Sequence, residues 1–210
     1  MQPMNLIAAL LLALLPAMAQ ALDDDVDYGD AGWSYDGPQP GADGVLVING
    51  CRLEPQADCA GADLRHADLS GLDLFRANFR GAKLARANLS DSNLRFVNFD
   101  GADLTGARLE RAFLQRSTAR GATLRAADFS HARASAADWS GADLTAANLE
   151  MVNANKIQLR GAVLTSANLM EMKLYDANLE DAVMDEGTVI TFAIFQDTFM
   201  EGCRGCPLDW

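Results

Sequence analysis

One hydrophobic pattern runs unbroken through more than half of the 210-residue chain. Stepping by five from Leu64 to Met184 visits twenty-five positions: seventeen Leu, three Phe (Phe79, Phe99, Phe129), three Ala (Ala119, Ala134, Ala154), Trp139 and Met184. The residue two places before each centre is Ala in eighteen of the twenty-five cases, with Leu72, Ser92, Val97, Ser117, Val152, Ile157 and Met172 as the exceptions. The other three residues of each five are mostly polar. A helix period of about 3.6 or a strand period of about 2 would drift out of phase with a strict five within a few turns.

A coil built from five-residue sides keeps that phase. Gly61, Gly81, Gly101, Gly121, Gly141 and Gly161 recur every twenty residues, each followed by Ala, so each coil has four sides. Centre and small residue then point inward and three residues face water. Coils stacked at about 4.8 Å, about seven of them, predict a rod of roughly 35 Å. The glycine ladder predicts positive φ at one corner of every coil, as in a type II turn, while the other three corners have no such ladder. Asp68, Asn78 and Asp143, each just before a centre, are placed either to hydrogen-bond backbone at the bends or simply to be solvated.

Segments such as Ala62-Asp63-Leu64-Arg65-His66, Ala77-Asn78-Phe79-Arg80-Gly81 and Ala142-Asp143-Leu144-Thr145-Ala146 resemble the A(D/N)LXX unit of the pentapeptide-repeat proteins. The resemblance covers about two thirds of the chain. It implies an all-β fold, a right-handed quadrilateral parallel β-helix; the handedness comes from the family and not from the periodicity. It implies no activity, because one fold hosts many functions.

The expected organisation is a secretory signal peptide over 1–21, an acidic disordered arm over 22–43, an N-terminal cap over 44–56, the solenoid over 57–186, and a degenerate final coil with a C-terminal cap over 187–210. The apolar run Leu6–Leu15, followed by Pro16 and small residues, carries the first expectation, with cleavage after Ala19 or Ala21. The run is too short to span a bilayer, so no stable membrane span is expected after cleavage. The arm holds seven aspartates and no Lys or Arg; Trp33 and Tyr35 are candidates to rest on the rod. Its Asp23–Asp30 stretch does not fit a calcium loop, since Tyr28 and Ser34 stand where glycine and glutamate are needed.

Four cysteines, Cys51, Cys59, Cys203 and Cys206, flank the solenoid. A stiff rod separates the two pairs by far more than the roughly 7 Å that a disulfide tolerates between Cα atoms, so Cys51 is expected to join Cys59 and Cys203 to join Cys206. The first bond would hold Gly44–Gly50 against the first coil; both would protect open ends. A thioredoxin-like or zinc role for Cys203-Arg204-Gly205-Cys206 lacks the βαβ setting and the further ligands it needs. Beyond Gly187 the frame decays. Asp197 falls where a small inward residue belongs, so the regular coil is expected to have ended by there.

The net charge of −12 is unevenly spread: +4 from Ala62 to Ala136 and −8 from Ala137 to Glu201. Such a dipolar rod can pair antiparallel, which makes a homodimer a candidate assembly. His66 and His131 have no nucleophile at a recognised spacing, and no Gly-rich loop opens a helix, so neither catalytic residues nor a cofactor is expected. The function expected is an exported structural or interaction module meeting a protein, glycan or envelope surface, in the periplasm or outside the cell. The alternative follows family members that imitate DNA and protect a type II topoisomerase, but a solenoid with a basic first half imitates phosphates poorly. No basic stripe interleaved with aromatics is visible along the chain, so direct nucleic-acid binding is not expected.

Overall fold

The computed structural model of the protein describes residues 44–207. The signal peptide expected over 1–21 and the acidic arm over 22–43 lie outside the described residues, as do residues 208–210. Each corner is a β-turn closed by one hydrogen bond: the Ala62 N–H donates to the Cys59 carbonyl at 3.1 Å, Ala67 to Leu64 at 3.1 Å and Ala77 to Leu74 at 2.9 Å. The third residue of these turns has positive φ, +69° at Gly61, +60° at His66 and +58° at Arg76. With the second residue at negative φ, that is the type II turn.

Positive φ is therefore a property of all four corners, not of the glycine corner alone. It recurs at non-glycine residues such as Arg86, Phe96, His131 and Lys156, at about 1 to 2 kcal/mol each relative to a relaxed backbone. A Cβ built on Gly61, Gly81, Gly101, Gly121 or Gly161 meets nothing within 4 Å. The ladder thus relieves backbone strain at one corner, and nothing in the structure distinguishes that corner sterically from the others.

Successive coils pair through single parallel bridges twenty residues apart, such as Asp58↔Asn78↔Asn98 and Asp63↔Lys83↔Asp103. In a regular interior side four of the five backbone N–H groups find backbone carbonyls. Around Phe79, Ala77 N bonds Leu74 O at 2.9 Å within the turn, Asn78 N bonds Ala57 O at 2.8 Å in the preceding coil, and Phe79 and Gly81 bond Asn98 O and Asp100 O in the next at 2.7 and 3.0 Å. Where the residue before the centre is Asp or Asn, its side chain meets the fifth N–H, on the residue after the centre: Arg80 N donates to Asn78 Oδ1 at 3.2 Å, Ser70 N to Asp68 Oδ1 at 3.2 Å and Thr145 N to Asp143 Oδ1 at 3.0 Å. The Asp or Asn of the repeat thus completes the backbone account instead of merely being solvated.

The centres fill the interior. Phe79 and Phe99 stack with centroids 5.5 Å apart, and Phe129 meets Trp139 across the coil at 4.9 Å. Trp139 is buried, and its indole Nε1–H donates to the Ser117 hydroxyl at 3.3 Å.

Two strands, β1 (Leu46–Ile48) and β2 (Cys51–Leu53), form an antiparallel hairpin over the first coil. Its turn residues Asn49 and Gly50 both have positive φ, as a type I′ hairpin requires. Cys51 is bonded to Cys59, and Asn49 Nδ2 donates to Asp63 O at 2.6 Å. At the other end Cys203 is bonded to Cys206, with Cα atoms 5.8 Å apart.

The expectation that the regular coil has ended by Asp197 is corrected. Pairing continues with a shift of one residue: Asn168↔Val189, Lys173↔Ile194, Asn178↔Phe199 and Val183↔Arg204. Asp197 is a corner with φ +57°, not an inward position. The extra residue is taken up at Asp185–Thr188. Where a backbone carbonyl normally receives the corner N–H, the Asp185 carboxylate accepts from Ser166 N at 2.7 Å and also from Gly187 N at 3.2 Å and Thr188 Oγ1 at 3.0 Å.

Candidate interaction surface

Every outward position belongs to one of four faces, and residues twenty apart in the chain are neighbours along a face. On the first and third faces, whose rungs begin at Asp58 and Asp68, most bridge residues form ladders of carboxylates and amides; the second, beginning at Asp63, also holds Lys83, Thr123 and Val163, and the fourth begins with one such pair, Asn93 Nδ2 donating to Asp73 Oδ1 at 2.8 Å. Asn78 Nδ2 donates to Asp58 Oδ1 at 2.8 Å, Asn88 to Asp68 at 3.0 Å and Asn148 to Asp128 at 3.0 Å. Ion pairs join the same faces: Arg120 with Asp138 at 2.6 Å, Arg111 with Asp91 at 2.6 Å and Arg65 with Asp63 at 2.6 Å. The Arg65 hydrogen bonds hold the Asp63 carboxyl at about 2. Burial pushes Asp138 and Asp143 up, but hydrogen bonds from Ser140 and Arg120, and from Thr145 and Arg125, outweigh it and leave both below the ordinary carboxylate range.

The fourth face differs. Its rungs run Asp73↔Asn93↔Phe113↔Arg133↔Asn153↔Lys173, and between Phe75 and Tyr175 its outward positions include no Asp or Glu. Each of six successive coils contributes one cation: Arg76, Arg95, Arg116, Arg133, Lys156 and Lys173. The outward aromatics of the regular coils, Phe75, Phe96, Phe113 and Tyr175, also fall here; those of the shifted last coil, Phe192 and Phe199, lie on two other faces. Phe75 and Phe96 meet edge to face at 5.6 Å, and the Arg76 guanidinium lies over both, 5.1 and 5.4 Å from their centroids. Arg116 lies over Phe96 at 5.7 Å and Arg133 over Phe113 at 5.1 Å.

This corrects the expectation that no basic stripe interleaved with aromatics exists. Its cations stand seventeen to twenty-three residues apart in the chain, so no short window of sequence shows them together; only the twenty-residue register does. The buried acceptors Gln115 Oε1 and Asn155 Oδ1, on the same face, have no hydrogen-bond partner among the described residues.

The other candidate residues are not brought into a chemical site. His66 and His131 are exposed corners three coils apart, on different faces. Among the described residues no group of three His, Cys, Asp or Glu is placed to hold a metal ion, and no helix is long and apolar enough to cross a membrane.

A coil of four five-residue sides, with type II corners and Asp or Asn caps, defines a quadrilateral β-helix. The family description Pentapeptide repeats matches in eight overlapping copies from residue 55 to residue 181. The chain belongs to the pentapeptide-repeat family, whose coils are right-handed. Similar solved structures include HetL, a pentapeptide repeat protein involved in heterocyst differentiation regulation from the cyanobacterium Nostoc sp. strain PCC 7120, at 31% identity over 70% of this chain and 72% of that one, TM-score 0.39. Rfr23 from the cyanobacterium Cyanothece 51142 is 28% identical over 63% of this chain and 90% of its own, TM-score 0.35. QnrB1, a plasmid-mediated fluoroquinolone resistance protein, is 18% identical over 70% and 78%, TM-score 0.44. No curated relative matches the chain.

Proposed function

We propose that this chain is an exported pentapeptide-repeat module that works by binding through its outer faces and carries out no catalysis. The observation that carries the reading is the pair of end-fastening disulfides, Cys51 to Cys59 and Cys203 to Cys206. Thiols in such positions stay reduced in most cytosols and pair in oxidising compartments. The apolar run Leu6–Leu15 supports the same destination. A binding role is supported by outer faces whose side chains repeat at coil spacing.

A reporter active only outside the cytoplasm, fused after Trp210, should become active, and the mature protein should begin at Gln20 or Leu22. Full-length protein retained in the cytoplasm overturns export. It would also make a gyrase supercoiling assay the next measurement, because the topoisomerase-protecting alternative requires a cytoplasmic protein.

A further inference from the structure

The fourth face combines three properties absent from the other faces together: a cation in each of six coils, a carboxylate-free stretch from Phe75 to Tyr175, and the outward aromatics of the regular coils. We infer that this face binds an extended acidic polysaccharide, a sugar chain bearing carboxylate or sulfate groups, laid along the rod axis. The inference deepens the proposed binding role and rests on it.

Charge selects the face. The whole chain carries −12, so a polyanion is repelled by most of the surface and admitted along this side. Six cations at a coil spacing of about 4.8 Å span about 24 Å, a row suited to a linear polymer and not to one small anion. Geometry then favours oxyanions: guanidinium groups held over rings, as Arg76 is over Phe75 and Phe96 and Arg116 over Phe96, are weakly hydrated and keep their N–H edges for bidentate pairing with a planar acid.

The same details favour a glycan over the other polyanions. Single-stranded nucleic acid uses open aromatic platforms on which bases stack, whereas Phe75 and Phe96 are engaged with each other and with guanidinium ions. An anionic membrane is held by aromatics that enter the headgroup layer; these rings are half-buried in the wall of the rod.

The test uses the purified full chain and fluorescent polygalacturonate, with dextran, single-stranded DNA and phosphatidylglycerol vesicles as competitors. Polygalacturonate should bind at low salt and be released as salt rises, and dextran should not compete. Arg76→Glu with Arg116→Glu should weaken binding at least about tenfold, while Arg120→Glu with Arg160→Glu on the first face should leave it within about twofold. If the first pair does not fold, Arg76→Gln with Arg116→Gln replaces it and should lose at least about threefold. Absence of polygalacturonate binding, equal losses in both pairs, or stronger binding of DNA or vesicles each overturns the inference. Export is read by the separate reporter, so a negative binding result leaves that part of the proposed function standing.

Discussion

Replacing Ser117 by Ala removes the hydrogen-bond acceptor of the largest side chain in the core. Trp139 is 1% exposed and Ser117 is also 1% exposed, so water cannot take the place of the lost hydroxyl. The indole N–H, now 3.3 Å from the Ser117 Oγ, would be left buried and unpaired at a cost of about 1 to 3 kcal/mol. Trp139→Phe removes the same donor but opens space beside Phe129, and about 1 to 3 kcal/mol is expected for it on its own. Because the two residues share one bond, their effects should not add: in the Trp139→Phe background Ser117→Ala should cost about 1 kcal/mol less than in the parent. Urea midpoints of the four proteins, followed by circular dichroism, measure the cycle. A Ser117→Ala penalty equal in both backgrounds would show that the hydroxyl does not serve the indole.

Enlarging Ala134 to Leu should overpack the interior beside that pair at about 1 to 3 kcal/mol, while the outward Ser135→Leu should stay within about 0.5 kcal/mol of the parent; equal thermal midpoints would refute the inward and outward register. Gly121→Val should cost about 1 to 3 kcal/mol and Gly121→Ala less, because the position has φ +60° but open space for a Cβ; a larger loss for Ala than for Val would refute a conformational cause. In acid, Asp63, Asp138, Asp143 and Asp185 have folded carboxyls below the ordinary range. Their stabilisation is complete above the unfolded value of about 4 and is lost as pH falls below it, towards about 2 for Asp63. Asp185→Asn should flatten that acid limb in a pH series of urea midpoints, and an unchanged limb would remove Asp185 from the account.

The interior was legible because its rule is local: a centre and a small residue recur within every five residues, so each short window of the chain repeats the same statement. The disulfide partners followed from the stiffness of the rod. The Asp and Asn caps were open to two readings, since a carboxylate before a centre looks the same in sequence whether it faces water or the next N–H but one. Positive φ at all four corners was hidden by His66, Arg76 and Phe96, which occupy a conformation that glycine advertises and they do not. The shift at Asp185 was hidden because a side-chain carboxylate stands in for a backbone carbonyl, an exchange without a compositional mark. The fourth face and the Ser117 partner of Trp139 depend on neighbours about one coil apart, beyond any periodic window shorter than the coil.

Core and surface therefore answer to different arithmetic: the interior counts by five and the exterior by twenty. Excising five residues upstream of Arg116 would return every downstream centre to the interior, yet turn each outward residue a quarter revolution onto the neighbouring side. The rod would still stack, and its cations would be scattered over two walls. Excising twenty would merely shorten it. Insertions and deletions in such a chain can thus erase a recognition surface while leaving the fold intact, an outcome that few point substitutions could produce.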